Sequence, residues 1–174
     1  EQVLQCPVDI ISGREEARLI YLGVAHTLAD DQERRLVIDI GGGSTEFIIG
    51  QRFSPLELES LHMGCVSYTR RFFSDGQLNR LSFQRAGNAA HLELLNIRRH
   101  YRKLGWNDAV GSSGTIKACY RLLNDTEGNP QTITLKYLLA LREQMIGFGH
   151  TDSVVLNGIK DQRARIMAGG IAIL

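Results

Sequence analysis

The sequence has too few cysteines, and those too scattered, for a disulfide framework or a zinc site. Cys6, Cys65 and Cys119 are far apart, odd in number and outside any C-x-x-C pairing. A reducing cytoplasm is the expected location. No apolar run reaches the roughly 20 residues that a membrane-spanning helix requires. The opening Glu1-Gln2-Val3-Leu4 lacks the basic and apolar regions of a signal peptide. A formal net charge of +1 gives no global attraction to nucleic acid or to a membrane surface, so no nucleic-acid partner is expected. The five histidines, His26, His62, His91, His100 and His150, show no spacing suited to a helix-borne metal pair or to a nucleophile and its base.

What remains is an ordinary globular composition, 43% apolar and 22% charged over 174 residues, enough for one good core. The chain begins without Met and stops inside the apolar Gly169-Gly170-Ile171-Ala172-Ile173-Leu174, so the expectation is a fragment cut at both ends.

The densest signal is Leu36-Val37-Ile38-Asp39-Ile40-Gly41-Gly42-Gly43-Ser44-Thr45-Glu46-Phe47-Ile48-Ile49-Gly50. Two apolar runs flank three glycines, which reads as a β-hairpin whose tip lacks side chains. Such a tip lets backbone N–H groups close on a ligand, the geometry of a phosphate cradle. If Gly42-Gly43 form a two-residue turn, Asp39 pairs with Glu46, Ile40 with Thr45 and Gly41 with Ser44. Both acids then share one face, where a cation, a proton or bridging waters must separate their charges. Mg²⁺ held by carboxylates, water and substrate phosphate would satisfy that arrangement. A three-residue turn would put the acids on opposite faces. The plain alternative is that Asp39 stabilises the turn and Glu46 points to solvent.

Along the chain, Val8 to Ile11 is a short strand candidate. Ser12-Gly13-Arg14-Glu15 is a capping box that opens a helix from about Arg14 to Ala25. Ala17, Ile20, Tyr21 and Val24 form one apolar stripe, and Leu19 and Leu22 point the other way, so the helix is expected to be covered on two sides. Glu16 lies on the polar margin between them. After a charged link from Leu28 to Arg35 come the glycine hairpin and an alternating third strand, Leu56 to Leu61. Helices are expected over Cys65–Phe73 and over Ser82–Tyr101, the latter capped by Ser82. A fourth strand, Asn107–Val110, enters Gly111-Ser112-Ser113-Gly114-Thr115 and a helix from Ile116 to Leu123. Thr126 to Gln131 is a surface turn, and Leu135–Ile146 and Gln162–Leu174 are the last helix candidates. The order implies a mixed α/β sheet covered on both faces, with at least one closing strand beyond Leu174.

The loop Gly111-Ser112-Ser113-Gly114-Thr115 joins a strand to a helix N-terminus, where unpaired N–H groups and the helix dipole favour an anion. An ordinary capped βα turn is the plainer reading, less attractive beside a second Gly-rich turn. Neither loop fits G-x-x-x-x-G-K-[ST] or a complete G-x-G-x-x-G. Arg98, Arg99, His100, Arg102 and Lys103 form a basic cluster, either a solvated helix end or a track for an extended polyanion.

Four segments in order, Ser12-Gly13-x-Glu15-Glu16-Ala17-Arg18, Val37 to Glu46, Met63-Gly64-Cys65-Val66 and Gly111 to Thr115, resemble the exopolyphosphatase and guanosine pentaphosphate phosphohydrolase family. That family belongs to the actin-like superfamily. The resemblance implies a two-lobed phosphatase with ribonuclease-H-like lobes, in which residues 1–27 end the first lobe and residues 28–174 form most of the second. It implies Mg²⁺ as cofactor, release of terminal phosphate from polyphosphate or guanosine pentaphosphate, a place in the stringent response, and a homodimer when the protein is complete. By motif position, Glu16 matches the carboxylate that orients or deprotonates the attacking water, and Asp39 and Glu46 match the acids that hold metal and water. Gly41, Gly42, Gly43, Ser44 and Thr45, and Gly111, Ser112, Ser113, Gly114 and Thr115, match phosphate-binding loops. The family's first-lobe phosphate loop has no counterpart here, so the isolated chain is expected to be almost inactive. A non-catalytic module that senses guanosine tetra- or pentaphosphate is the alternative from another class.

Overall fold

A computed structural model describes residues 9–28, 32–127 and 132–174. Helix α1 (Gly13–Ala25) precedes a meander of β1 (Arg34–Ile40), β2 (Thr45–Gln51) and β3 (Ser54–Leu61). Helices α2 (Cys65–Phe72) and α3 (Arg80–Leu104) lead to β4 (Asp108–Gly111), and α4 (Gly114–Glu127), α5 (Leu135–Phe148), α6 (Asp161–Ala164) and α7 (Met167–Ile173) follow. The sheet order is β3-β2-β1-β4, with β4 parallel to β1 and the other neighbours antiparallel.

Strand alternation assigns each face its cover. Val37 and Ile48 point to α1 and bury with Ala17, Tyr21 and Ala25. Leu36, Phe47 and Ile49 point the other way, into the larger core with Tyr68, Phe83, Met145 and Met167. This is the mixed α/β lobe that the sequence implies, with helices on both faces.

Several local expectations change. The described part of the first strand candidate, Asp9 to Ile11, forms no strand and leaves Ile10 98% exposed, because neither edge of the sheet pairs with it. Helix α1 starts as expected, with Glu15 N–H donating to Ser12 Oγ at 3.3 Å. The Glu15 carboxylate turns to Arg18 at 2.7 Å instead of completing the box. The same helix is covered on one side only among the described residues, and Leu19 is 47% exposed. Helix α3 begins earlier than its expected cap, because Asn79 Oδ1 accepts from Ser82 N–H at 2.9 Å and takes the capping role. The expected last helix is two, α6 and α7, broken at Arg165 and Ile166. The surface turn expected at Thr126 to Gln131 falls mostly outside the described residues, although α4 runs through Thr126 and Glu127.

Candidate active site

The parallel pairing of β1 with β4 sets the site, because both strands end at the same edge of the sheet and each feeds a loop there. Ligands of open α/β sheets bind in this position, outside the carboxyl ends of strands.

The first loop has the two-residue register. Asp39 is the cross-strand partner of Glu46 and Ile40 of Thr45, and Gly41 N–H donates to Ser44 O at 2.9 Å. The turn is held from below by α2. Cys65 N–H donates to Gly41 O, and Val66 and Ser67 N–H groups both donate to Gly42 O, at 2.9 to 3.0 Å. Three amides that a helix N-terminus leaves unpaired therefore find partners in the turn. This contact demands a glycine at position 64, because an added Cβ would stand 2.4 Å from the Gly42 backbone. With the carbonyls engaged on α2, the N–H groups of Gly42, Gly43 and Ser44 donate to no backbone acceptor among the described residues. Gly42 and Gly43 are exposed, so their amides are open to an anion.

Asp39 and Glu46 lie on the face covered by α1, where Glu16 is an exposed member of the helix. Glu46 is 1% exposed, and its carboxyl is pushed above the usual carboxylate range. Burial is the main cause; the hydroxyls of Ser44 and Ser60 oppose the shift, and the charges of Glu16 and Asp39 add to it. Both other acids are thus within electrostatic reach of Glu46. Asp39 is half-buried and accepts a hydrogen bond from Ser112 Oγ.

The side chains of the second loop are engaged within the fold. Ser113 Oγ accepts from Ile116 N–H at 3.2 Å and caps α4, while Thr115 is 1% exposed. Thr45 in the first loop is fully buried and donates to Met63 O. What the second loop offers an anion is therefore backbone: Gly114 is exposed, and its N–H opens α4 without a backbone acceptor among the described residues.

Cations that the motifs do not contain lie beside this helix start. A cavity of about 560 Å³ touches Gly114 and is lined by Lys117, Arg121, Lys160 and Arg163, with no acid in its wall. None of the four takes part in an ion pair among the described residues. Arg163 is the closest, since a Cβ added at Gly114 would lie 2.8 Å from its Nη1. Val66 lines the same cavity and would sit 3.5 Å from a Cβ at Gly42, so the cavity adjoins the glycine turn. Sequence reasoning passed over these side chains because Lys160 and Arg163 sit in no motif and α6 is a single turn. The basic cluster it did single out, Arg98 to Lys103, is elsewhere. It ends α3 beside Arg34, whose guanidinium donates to Leu104 O, at the start of β1. At about 3.3 Å per residue along β1, that is roughly 20 Å from the glycine turn.

The residues fit Mg²⁺ as a guest of the site but not a closed metal cage. Among the described residues no group of three or more His, Cys, Asp and Glu converges on one point. A facing pair of acids, with water and phosphate completing the shell, is the usual way this cation is held.

A family model described as the Ppx/GppA phosphatase family matches residues 1–174. A protein of Haemophilus influenzae named "Putative exopolyphosphatase" is 45% identical over 173 residues, which are 99% of this chain and 53% of that protein. The chain thus spans about half the length of this curated relative. An exopolyphosphatase crystal structure from Cytophaga hutchinsonii superposes with a TM-score of 0.81 at 24% identity, covering 99% of this chain and 58% of that one. The type II variant of the Aquifex aeolicus Ppx/GppA phosphatase gives a TM-score of 0.75 at 25% identity, covering 94% and 55%. No described helix is long and apolar enough to cross a membrane.

Proposed function

The chain belongs to the Ppx/GppA phosphatase family, and from that premise we propose that it carries one wall of a phosphohydrolase cleft. The reaction is release of the terminal phosphate from inorganic polyphosphate or guanosine pentaphosphate by in-line attack of water. One observation carries this reading: Asp39 and Glu46 face each other across an open glycine turn, on the face where the charge of Glu16 is also felt.

The steps follow from what each group can donate or accept. Glu16 is an exposed carboxylate and can orient a water and take its proton. The open amides of Gly42, Gly43 and Ser44 receive the oxygens of the transferring group, where negative charge is concentrated. Lys117, Lys160 and Arg163 hold the remainder of the anion through the cavity beside α4. As attack proceeds, the new water–phosphorus bond forms and the bond to the bridging oxygen breaks, leaving the shortened anion as leaving group. Asp39 and Glu46 would hold Mg²⁺, which neutralises charge on the phosphate oxygens. A cytoplasmic location and a homodimer of the complete protein belong to the same proposal.

A binding-only module for guanosine tetra- or pentaphosphate is favoured by the cavity alone, whose cations and amides suffice for binding. It leaves three acids gathered on one face without a task. Phosphate release by the full-length protein, with polyphosphate and guanosine pentaphosphate assayed side by side, separates the two readings and ranks the substrates. Glu16→Gln is expected to lower kcat by about 10²- to 10⁴-fold at unchanged melting temperature. Turnover near that of the parent would remove Glu16 from this role, and tight binding of either compound without release would favour the sensor.

A further inference from the structure

We propose that Ser60 and Ser112 are positioning residues that hold the two facing acids from the two outer strands of the sheet. Four side chains form one row across all four strands: Ser60 on β3, Glu46 on β2, Asp39 on β1 and Ser112 directly after β4. Ser60 is the registered partner of Glu46, and Glu46 is that of Asp39. Ser112 completes the row because its N–H donates to Ile38 O, beside Asp39, at 3.1 Å.

Each outer hydroxyl donates to the inner acid next to it. Ser60 Oγ donates to Glu46 Oε1 at 2.9 Å, and Ser112 Oγ donates to Asp39 Oδ2. Ionised carboxylates only accept, so two adjacent acids cannot fix each other, and donors must come from outside the pair. The two central strands carry the acids, and each outer strand supplies one donor; Glu46 takes a second from the Ser44 hydroxyl in the turn. Both serines are themselves held. The Ser112 backbone is tied to β1, and the start of α1 presses on Ser60, where a Cβ at Gly13 would lie 2.6 Å from both Ser60 Cβ and Ser60 Oγ.

The consequence is a choice of oxygen. A carboxylate on a strand rotates about its side-chain torsions unless a partner selects one orientation. With Ser112 on Oδ2, Asp39 Oδ1 carries no side-chain hydrogen bond among the described residues and is the oxygen left for a cation or a water. Ser112, which its motif matches to a phosphate-binding loop, has its hydroxyl engaged by the acid of the first loop. It couples the two loops.

The purpose of this arrangement rests on the reading of Asp39 and Glu46 as cation-holding acids, whereas the arrangement itself can be tested without a cation. In the metal-free 174-residue chain, three-bond couplings across the Asp39 side chain report one rotamer or an average of several. One rotamer is expected in the parent, averaging in Ser112→Ala, and a single rotamer again in Ser112→Thr. Because Glu46 also takes the Ser44 hydroxyl, Ser60→Ala combined with Ser44→Ala is expected to do the same to Glu46. In parallel, Mn²⁺ titration followed by its paramagnetic resonance signal should show binding weakened about tenfold in Ser112→Ala and restored in Ser112→Thr, the size of loss typical of an outer-shell partner. A fixed Asp39 rotamer in Ser112→Ala, or an averaged one in the parent, overturns the assignment. If the rotamers respond as expected while the parent itself takes up no Mn²⁺, positioning by the serines stands and the cation reading of the acids fails.

Discussion

The glycine turn at Gly41–Ser44 and the loop at Gly111–Thr115 leave neighbouring strands at the same edge of the sheet, yet they tie down opposite atoms. In the first, the carbonyls are engaged by α2, acids lie beneath, and the amides are open. In the second, the hydroxyl of Ser112 goes to Asp39 and that of Ser113 caps α4, so binding falls to the helix-start amide of Gly114 and to cations from α4 and the segment around α6. One edge of one sheet thus presents an acidic and a basic half. Under the proposed reaction the acidic half would meet the reacting end of the substrate, where charge changes. The basic half would meet its body, where charge only has to be matched.

Under the proposed reaction that division can be broken by experiments on the full-length protein. The largest effect should come from Asp39→Asn, which keeps the shape of the side chain and removes its charge. A loss of about 10²- to 10³-fold in kcat is expected, the size found when one preorganised electrostatic contact to a transition state is removed. Steady-state phosphate release measures it, and a change confined to KM would assign Asp39 to binding. A smaller effect, of the opposite kind, should follow Arg163→Met. One charged contact to an anion lost from an exposed site should raise KM about tenfold, with kcat little changed. A fall in kcat without a change in KM would erase the distinction between the halves.

The mildest test needs only the isolated chain in metal-free buffer. Glu46 has its carboxyl raised by burial, so the folded state binds its proton more tightly than the unfolded state does. Between the unfolded value and the raised folded one, stability therefore falls as pH rises, and the contribution is largest below the unfolded value. Glu46→Gln should flatten that slope and be the more stable variant at neutral pH, as measured by urea melts at several pH values. An unchanged slope would show that Glu46 does not feel the burial that its position imposes.

The hairpin was legible in the sequence because three glycines between two apolar runs mark a tight turn, and period two assigns every face once the turn length is known. That length was open between two residues and three, and the observed two-residue register is what makes Asp39 and Glu46 face each other. The burial of Glu46 does not, since alternation tells which way a side chain points but not how thickly it is covered. The start of α3 was misplaced for a local reason: Asn79 and Ser82 can both cap, and only the backbone shows which one precedes the first turn. The outer side of α1 carries Leu19 and Leu22, which read as a second buried stripe, and the described residues leave Leu19 47% exposed. Arg163 and Lys160 were illegible because their meaning depends on a fold that returns the chain to the start of α4 from a distant segment.

The engagement of α2 by the glycine turn has a consequence for exchange with solvent. The first amides of a helix ordinarily exchange with water at rates close to those of an open chain, because nothing accepts from them. In this protein the amides of Cys65, Val66 and Ser67 accept no such freedom, as each is bound to a carbonyl of the turn. Their deuterium uptake therefore reports on the turn itself: whatever opens the glycines unprotects the front of α2.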